Sequence, residues 1–172
     1  LGTATSTLDA SGTVTGTWAM DDVPLAAVRA AAEALTGDLL QVPPMVSAIQ
    51  VDGRRLHELA REGIEIERAP RPVTVHAFSV GPPVAPGCFP IEVTCSSGTY
   101  IRSLAADVGT ALGGGAHLRN LRRTHVGEFT LVEAAPPHEC VLLPVASAVR
   151  ARHANNGPCS FGAQCTEAKG AA

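Results

Sequence analysis

Long apolar runs are missing from this 172-residue chain, although 45% of it is hydrophobic and only 17% charged. No stretch approaches the roughly 18 consecutive apolar residues that a membrane-spanning helix needs. The opening LGTATSTLDASG carries neither the basic segment nor the apolar core of a secretory signal. These absences lead us to expect a cytoplasmic protein with no membrane partner. Cysteine is sparse and unpatterned: Cys88, Cys95, Cys140, Cys159 and Cys165 form no CxxC pair and no zinc-like repeat. Reduced thiols are the expectation. Cys159, Cys165 and His153 can be drawn as a metal site, but a second close pair is lacking, and no metal is expected. Lysine occurs once, at Lys169, and tyrosine once, at Tyr100.

The length suits one domain with its own core, and a second independent domain is not expected. A net charge of -3 argues weakly against a nucleic-acid partner, but the charges are unevenly spread. Residues 1–40 hold one arginine against five acids, whereas residues 41–130 hold nine arginines against eight acids. Cationic potential therefore gathers in the middle. Within it HLRNLRRTH (117–125) has three arginines, two histidines and no acid, a composition that suits phosphate as well as a solvated helix end.

Elements of both types interleave. MDDVPLAAVRAAAEALTG predicts a helix capped by Asp22, with Pro24 in its first turn, Gly37 beyond its end, and Leu25, Val28, Ala32 and Leu35 on one stripe. After Pro43 and Pro44 the chain should run extended from Met45 to Val51, turn at Asp52-Gly53, and form a short helix ending at Gly63. Residues 70–80 and 89–95 read as strands, the second alternating with Phe89, Ile91, Val93 and Cys95 on one face. Thr99 can cap a helix whose buried stripe is Ile101, Leu104, Ala105, Val108 and Leu112, ended by the glycines at 113–115. AHLRNL suggests a further short helix, RRTHVGEFTLVE a returning strand, and residues 142–153 a last helix. This mixture without a strict βαβ repeat implies an α+β fold, a mixed, mainly antiparallel sheet flanked by helices. From Ala154 the periodicity fades, and residues 154–172 read as a disordered or unrelated tail.

Arg102 poses the sharpest chemical question. In CSSGTYIRSLAADVG it falls in the opening turn of a helix, where the macrodipole disfavours a cation by roughly 0.3–1 kcal/mol. A guanidinium kept there calls for an anion.

VPPMVSAIQVDGRRLHELAREGIEIERAPRPVTV followed by CSSGTYIRSLAADVGTALGGGAHLRNLRRTHVGEFTL resembles the catalytic domain of the TruB family of tRNA pseudouridine synthases. The likeness runs from about Leu1 to Leu143, and the combination of P-P-x-x-S-A, G-T-Y-I-R-S-L and G-A-H-L-x-x-L-R-R is specific. It implies a pseudouridine synthase fold, incomplete here, over residues 1–153. The activity implied is isomerisation of the T-loop uridine of tRNA (position 55) to pseudouridine, with no cofactor and with the tRNA T-stem loop as partner of a monomer. By the same resemblance Arg102 pairs with the catalytic aspartate, Tyr100 contacts the target base and Leu121 packs on the uracil. Arg122 and Arg123 then meet RNA phosphates at the rim of the cleft. Asp107 is given a structural hydrogen-bonding role.

The stretch that carries the family nucleophile, G-x-L-D-P-x-A-T-G, does not occur in this sequence. STLDASG (6–12) contains Leu-Asp but resembles the later T-x-T-x-D-x-x-G segment, which makes Asp9 a turn residue. The upstream K/R-Y tyrosine is also absent, Gln50 stands where the family commonly has lysine, and His57 where tyrosine is frequent. The expectation is a fragment, inactive alone, in which Arg102 is an uncompensated cation open to water or phosphate. A catalytically dead RNA-binding remnant and a plain globular fragment are the competing readings.

Overall fold

The computed structural model describes residues 1–51, 53–134 and 159–163. Its centre is a six-stranded sheet in the order β3-β6-β7-β10-β8-β9, every neighbouring pair antiparallel. The strands are β3 (Gly37–Gln41), β6 (Arg71–Val80), β7 (Ile91–Cys95), β8 (Arg122–Val126), β9 (Phe129–Thr130) and β10 (Cys159–Ala163). Two hairpins stand apart from it: β1 (Thr3–Thr5) with β2 (Val14–Thr17), and β4 (Gln50–Val51) with β5 (Arg54–Arg55). The helices are α1 (Leu25–Ala34), α2 (Leu56–Arg61) and α3 (Ile101–Ala111). Strand β10 lies in the stretch read as a tail and occupies the space between β7 and β8; the helix expected at 142–153 lies outside the described residues.

Alternation decides which faces are buried. Val73 and Val75 of β6 and Val93 and Cys95 of β7 turn inward, and Ile101 and Leu104 of α3 with Leu118 close over them. A second cluster joins Val28, Ala31 and Ala32 of α1 to Val80 and Val108. Small alanines on α1 let that helix sit close to the sheet, so α1 and α3 share one side of it.

Four local expectations change, one of them the N-cap of α3, which is Tyr100 rather than Thr99. The first helix starts after Pro24, itself the N-cap in an extended conformation, rather than at Asp22. Met45–Ala48 bends instead of running extended, because its carbonyls serve other elements: Val46 accepts from Arg102, and Ser47 accepts from the His57 backbone N–H and ring Nδ1. AHLRNL is not helical. Its backbone is taken by the loop after β1, with Leu118 N–H donating to Leu8 and Leu118 carbonyl accepting from Ala10. Cys95 is a buried reduced thiol, as expected, whereas Cys88 departs from that expectation in being disulfide-bonded.

Candidate functional site

The site grows from the loop Ser6–Thr13 that links β1 to β2. Leu8 adopts a left-handed φ of 61, costly for a residue with a branched γ-carbon, and so turns the chain sharply into Asp9. The Asp9 side chain then fixes the loop: its Oδ1 accepts from the Thr7 hydroxyl at 2.6 Å, the Ser11 backbone N–H at 3.0 Å and the Ser11 hydroxyl at 2.5 Å. Acidic side chains in turns bond their own backbone two residues on, which is the role the sequence suggests for this one. Its second oxygen points elsewhere.

That oxygen, Oδ2, accepts from Arg102 Nη1 at 3.1 Å. Arg102 is thus compensated by an acid of this chain, and the expectation of an unpaired cation is corrected. The turn uses only one carboxylate oxygen, leaving the other free to reach a residue 93 positions away. Arg102 also donates from Nη1 to the Thr7 carbonyl at 3.1 Å and from Nη2 to the Val46 carbonyl at 2.8 Å. One guanidinium at the start of α3 therefore ties down two loops. Burial alone would raise the Asp9 carboxyl, but the bonds from Ser11 and Thr7 and the charge of Arg102 outweigh it and hold the group below the usual carboxylate range. Of the five guanidinium donors, Nε–H and one Nη2–H have no partner among the described residues.

An open groove runs past this pair, lined by Asp9, Ala10, Ser11, Arg102, Leu118, Arg119, Asn120 and Leu121. Leu121 is 49% exposed, so it presents an apolar face to the groove instead of joining the core. Arg122 and Arg123 follow it at the exposed start of β8. The fold therefore brings Arg102 and Leu121 together, with Arg122 and Arg123 next in the chain. Tyr100 does not line this groove. It is the half-buried N-cap of α3, and its hydroxyl has no hydrogen-bond partner among the described residues. Asp107, given a structural hydrogen-bonding role from sequence, is exposed on α3, and its side chain makes no hydrogen bond among them.

Sequence reasoning missed two participants. Asp9 was visible as a turn former but not as the acid on Arg102. Gln41, at the end of β3, is buried and bonds the backbone of Tyr100; the only signal was a polar residue two positions before the Pro43-Pro44 pair. Among the described residues no group of three or more His, Cys, Asp or Glu side chains is placed to hold a metal, and no helix is long and apolar enough to cross a membrane.

Comparison with known proteins meets this geometry from outside. Residues 1–101 match the model of the TruB family pseudouridylate synthase N-terminal domain, and residues 102–143 that of the tRNA pseudouridylate synthase B C-terminal domain. The chain is 51% identical over 139 residues to the tRNA pseudouridine synthase B of Corynebacterium aurimucosum, covering 79% of this chain and 47% of that protein. It is 51% identical over 138 residues to the protein of the same name from Rhodococcus jostii, 78% of this chain and 45% of the other, and 46% identical over 162 residues to that of Thermobifida fusca, 88% and 55%. The chain thus spans about half the length of the curated relatives it matches. With two family models covering residues 1–143 between them, the chain belongs to the TruB family of pseudouridylate synthases.

Proposed function

We propose that this chain is the arginine-bearing part of a TruB-type tRNA pseudouridine synthase, that its groove receives the T-loop uridine of tRNA, and that it binds RNA but does not isomerise it alone. The observation that carries this reading is the groove itself: an arginine with two donors unspent among the described residues, beside an exposed leucine and followed by Arg122 and Arg123. An extruded base needs an apolar surface to replace lost stacking, and a backbone needs cations; this groove offers both within a few residues.

In the reaction the N1–C1′ bond of the uridine breaks, a C5–C1′ bond forms, and the C5 hydrogen leaves as a proton while the released N1 takes one up, so that the product is an isomer. The attack requires a carboxylate with an available lone pair. Asp9 does not fit that role in this reading, because three donors hold Oδ1, Arg102 holds Oδ2, and a charge so stabilised is a weak nucleophile. Arg102 fits between two acids, with Asp9 on Nη1 and its unspent donors turned to a nucleophilic aspartate such as the family resemblance pairs with it. Arg122 and Arg123 serve phosphates, Leu121 the uracil, and Tyr100 the base from the helix start. No cofactor enters, and the working unit is a cytoplasmic monomer.

Filter binding to a T-loop hairpin tests this directly. Affinity should be measurable at 50 mM salt, and the logarithm of the binding constant should fall linearly with log salt, with a slope near -0.7 for each phosphate neutralised on single-stranded RNA. Absence of binding at that salt overturns the proposal. Tritium release from 5-tritiated uridine in the same RNA should stay at background, and release above background would show that the chain itself supplies a nucleophile.

A further inference from the structure

Strand β3 ends on a glutamine, paired in register with Arg71 of β6, and that glutamine is buried at 6% exposure. Its amide reaches across to the start of α3. The Tyr100 backbone N–H donates to Gln41 Oε1 at 2.7 Å, and Gln41 Nε2 donates to the Tyr100 carbonyl at 3.1 Å. A single side-chain amide thus pairs with one residue as a peptide group of a neighbouring strand would, satisfying donor and acceptor together.

The residue so clamped is the only tyrosine in the chain. Tyr100 is the N-cap of α3, extended at φ -95 and ψ 105, and its own side chain makes no capping bond. Two backbone bonds from a buried amide fix those dihedrals, and the dihedrals set the direction of the Cα–Cβ bond that carries the ring. They also set the point at which the helix begins, two residues before Arg102. An amide side chain offers a donor and an acceptor side by side in one plane; glutamate keeps the acceptor and presents a charge to the Tyr100 carbonyl, and methionine keeps the length and offers neither bond.

We infer that Gln41 is a positioning residue for the target base, acting through Tyr100: its amide fixes the backbone at the start of α3, from which Tyr100 meets an extruded uridine at the mouth of the groove that Arg102 and Leu121 line. This rests on the RNA reading above. It goes beyond that reading by tying recognition of the base, as distinct from attachment to the RNA backbone, to a residue on another element that touches no RNA.

The experiment uses the full chain with two readouts. Because there is one tyrosine, 15N-tyrosine labelling yields a single amide cross-peak, which Gln41→Met should move upfield as the 2.7 Å bond is lost. Binding is then measured for a T-loop hairpin with uridine at the target position and for the same hairpin with an abasic nucleotide there. The wild-type chain should prefer the uridine hairpin by about tenfold, the low end of what one base stacked on an aromatic ring contributes. The Gln41→Met chain should bind both hairpins equally, with an unchanged salt slope. Gln41→Glu, which keeps the acceptor, should retain part of the preference. Undiminished preference in a folded Gln41→Met chain overturns the inference. So does loss of the fold in both variants, since the residue would then serve stability alone. If the wild-type chain binds neither hairpin, the RNA reading fails while the amide shift still reports whether the clamp exists.

Discussion

Arg102→Lys should destabilise the chain by about 2–4 kcal/mol, because the substitution keeps the charge and removes the fork that reaches three acceptors at once. The guanidinium joins the Thr7 carbonyl, Asp9 and the Val46 carbonyl, so an ammonium satisfies one of them and strands the others. Urea unfolding of both proteins measures the difference. Its pH dependence identifies the partner. The folded Asp9 carboxyl lies below its ordinary value, so the unfolded state binds the proton first and the contribution is full above about pH 4 and lost as pH falls through the folded value. Asp9→Asn should flatten the wild-type slope of stability against pH in that acid window. A slope unchanged by Asp9→Asn would mean that the pair carries no stability.

Gly109→Ala should cost upwards of about 3 kcal/mol, at the severe end of overpacking changes. A Cβ at position 109 would fall well inside contact distance of the Ala116 nitrogen and the Gly115 carbonyl carbon, both backbone atoms that cannot step aside. The segment it displaces is the one that holds the site. Gly115 accepts from Gly2, and Leu118 exchanges bonds with Leu8 and Ala10 on either side of Asp9. Pushing residues 115–118 off α3 therefore loosens the Asp9 loop as well as the core around Leu118. A thermal melt within a degree or two of wild type would show that helix and segment are not packed so tightly.

The two substitutions separate what could be read locally from what could not. The inward face of β7, the buried stripe of α3 and the turns at Gly53 and Gly63 were legible because each depends on residues within one turn or one strand of itself. Arg102 was legible as a question, since a cation at a helix start is out of place on local grounds alone. Its answer was not, because Asp9 sits 93 residues away and its turn chemistry accounts for only one of its oxygens. AHLRNL was misread for the same reason: its helical spacing is real, but the Asp9 loop takes its backbone bonds first. Gln41 left almost no trace, since its purpose lies in two bonds to a residue 59 positions on. Family resemblance named Arg102, Tyr100 and Leu121 without saying how this chain holds them. The fold supplies that: a left-handed Leu8, an Asp9 bonded through both carboxylate oxygens and an amide clamp.

Photocrosslinking measures most directly whether the groove beside Asp9 and Arg102 receives the target base. A T-loop hairpin carrying 5-iodouridine at the target position is bound to the chain at low salt, irradiated and mapped by mass spectrometry. The crosslink should fall on Tyr100 or within Leu118–Arg122. Crosslinks confined to another surface, such as β6 or the β4–β5 hairpin, with binding intact, would contradict the account.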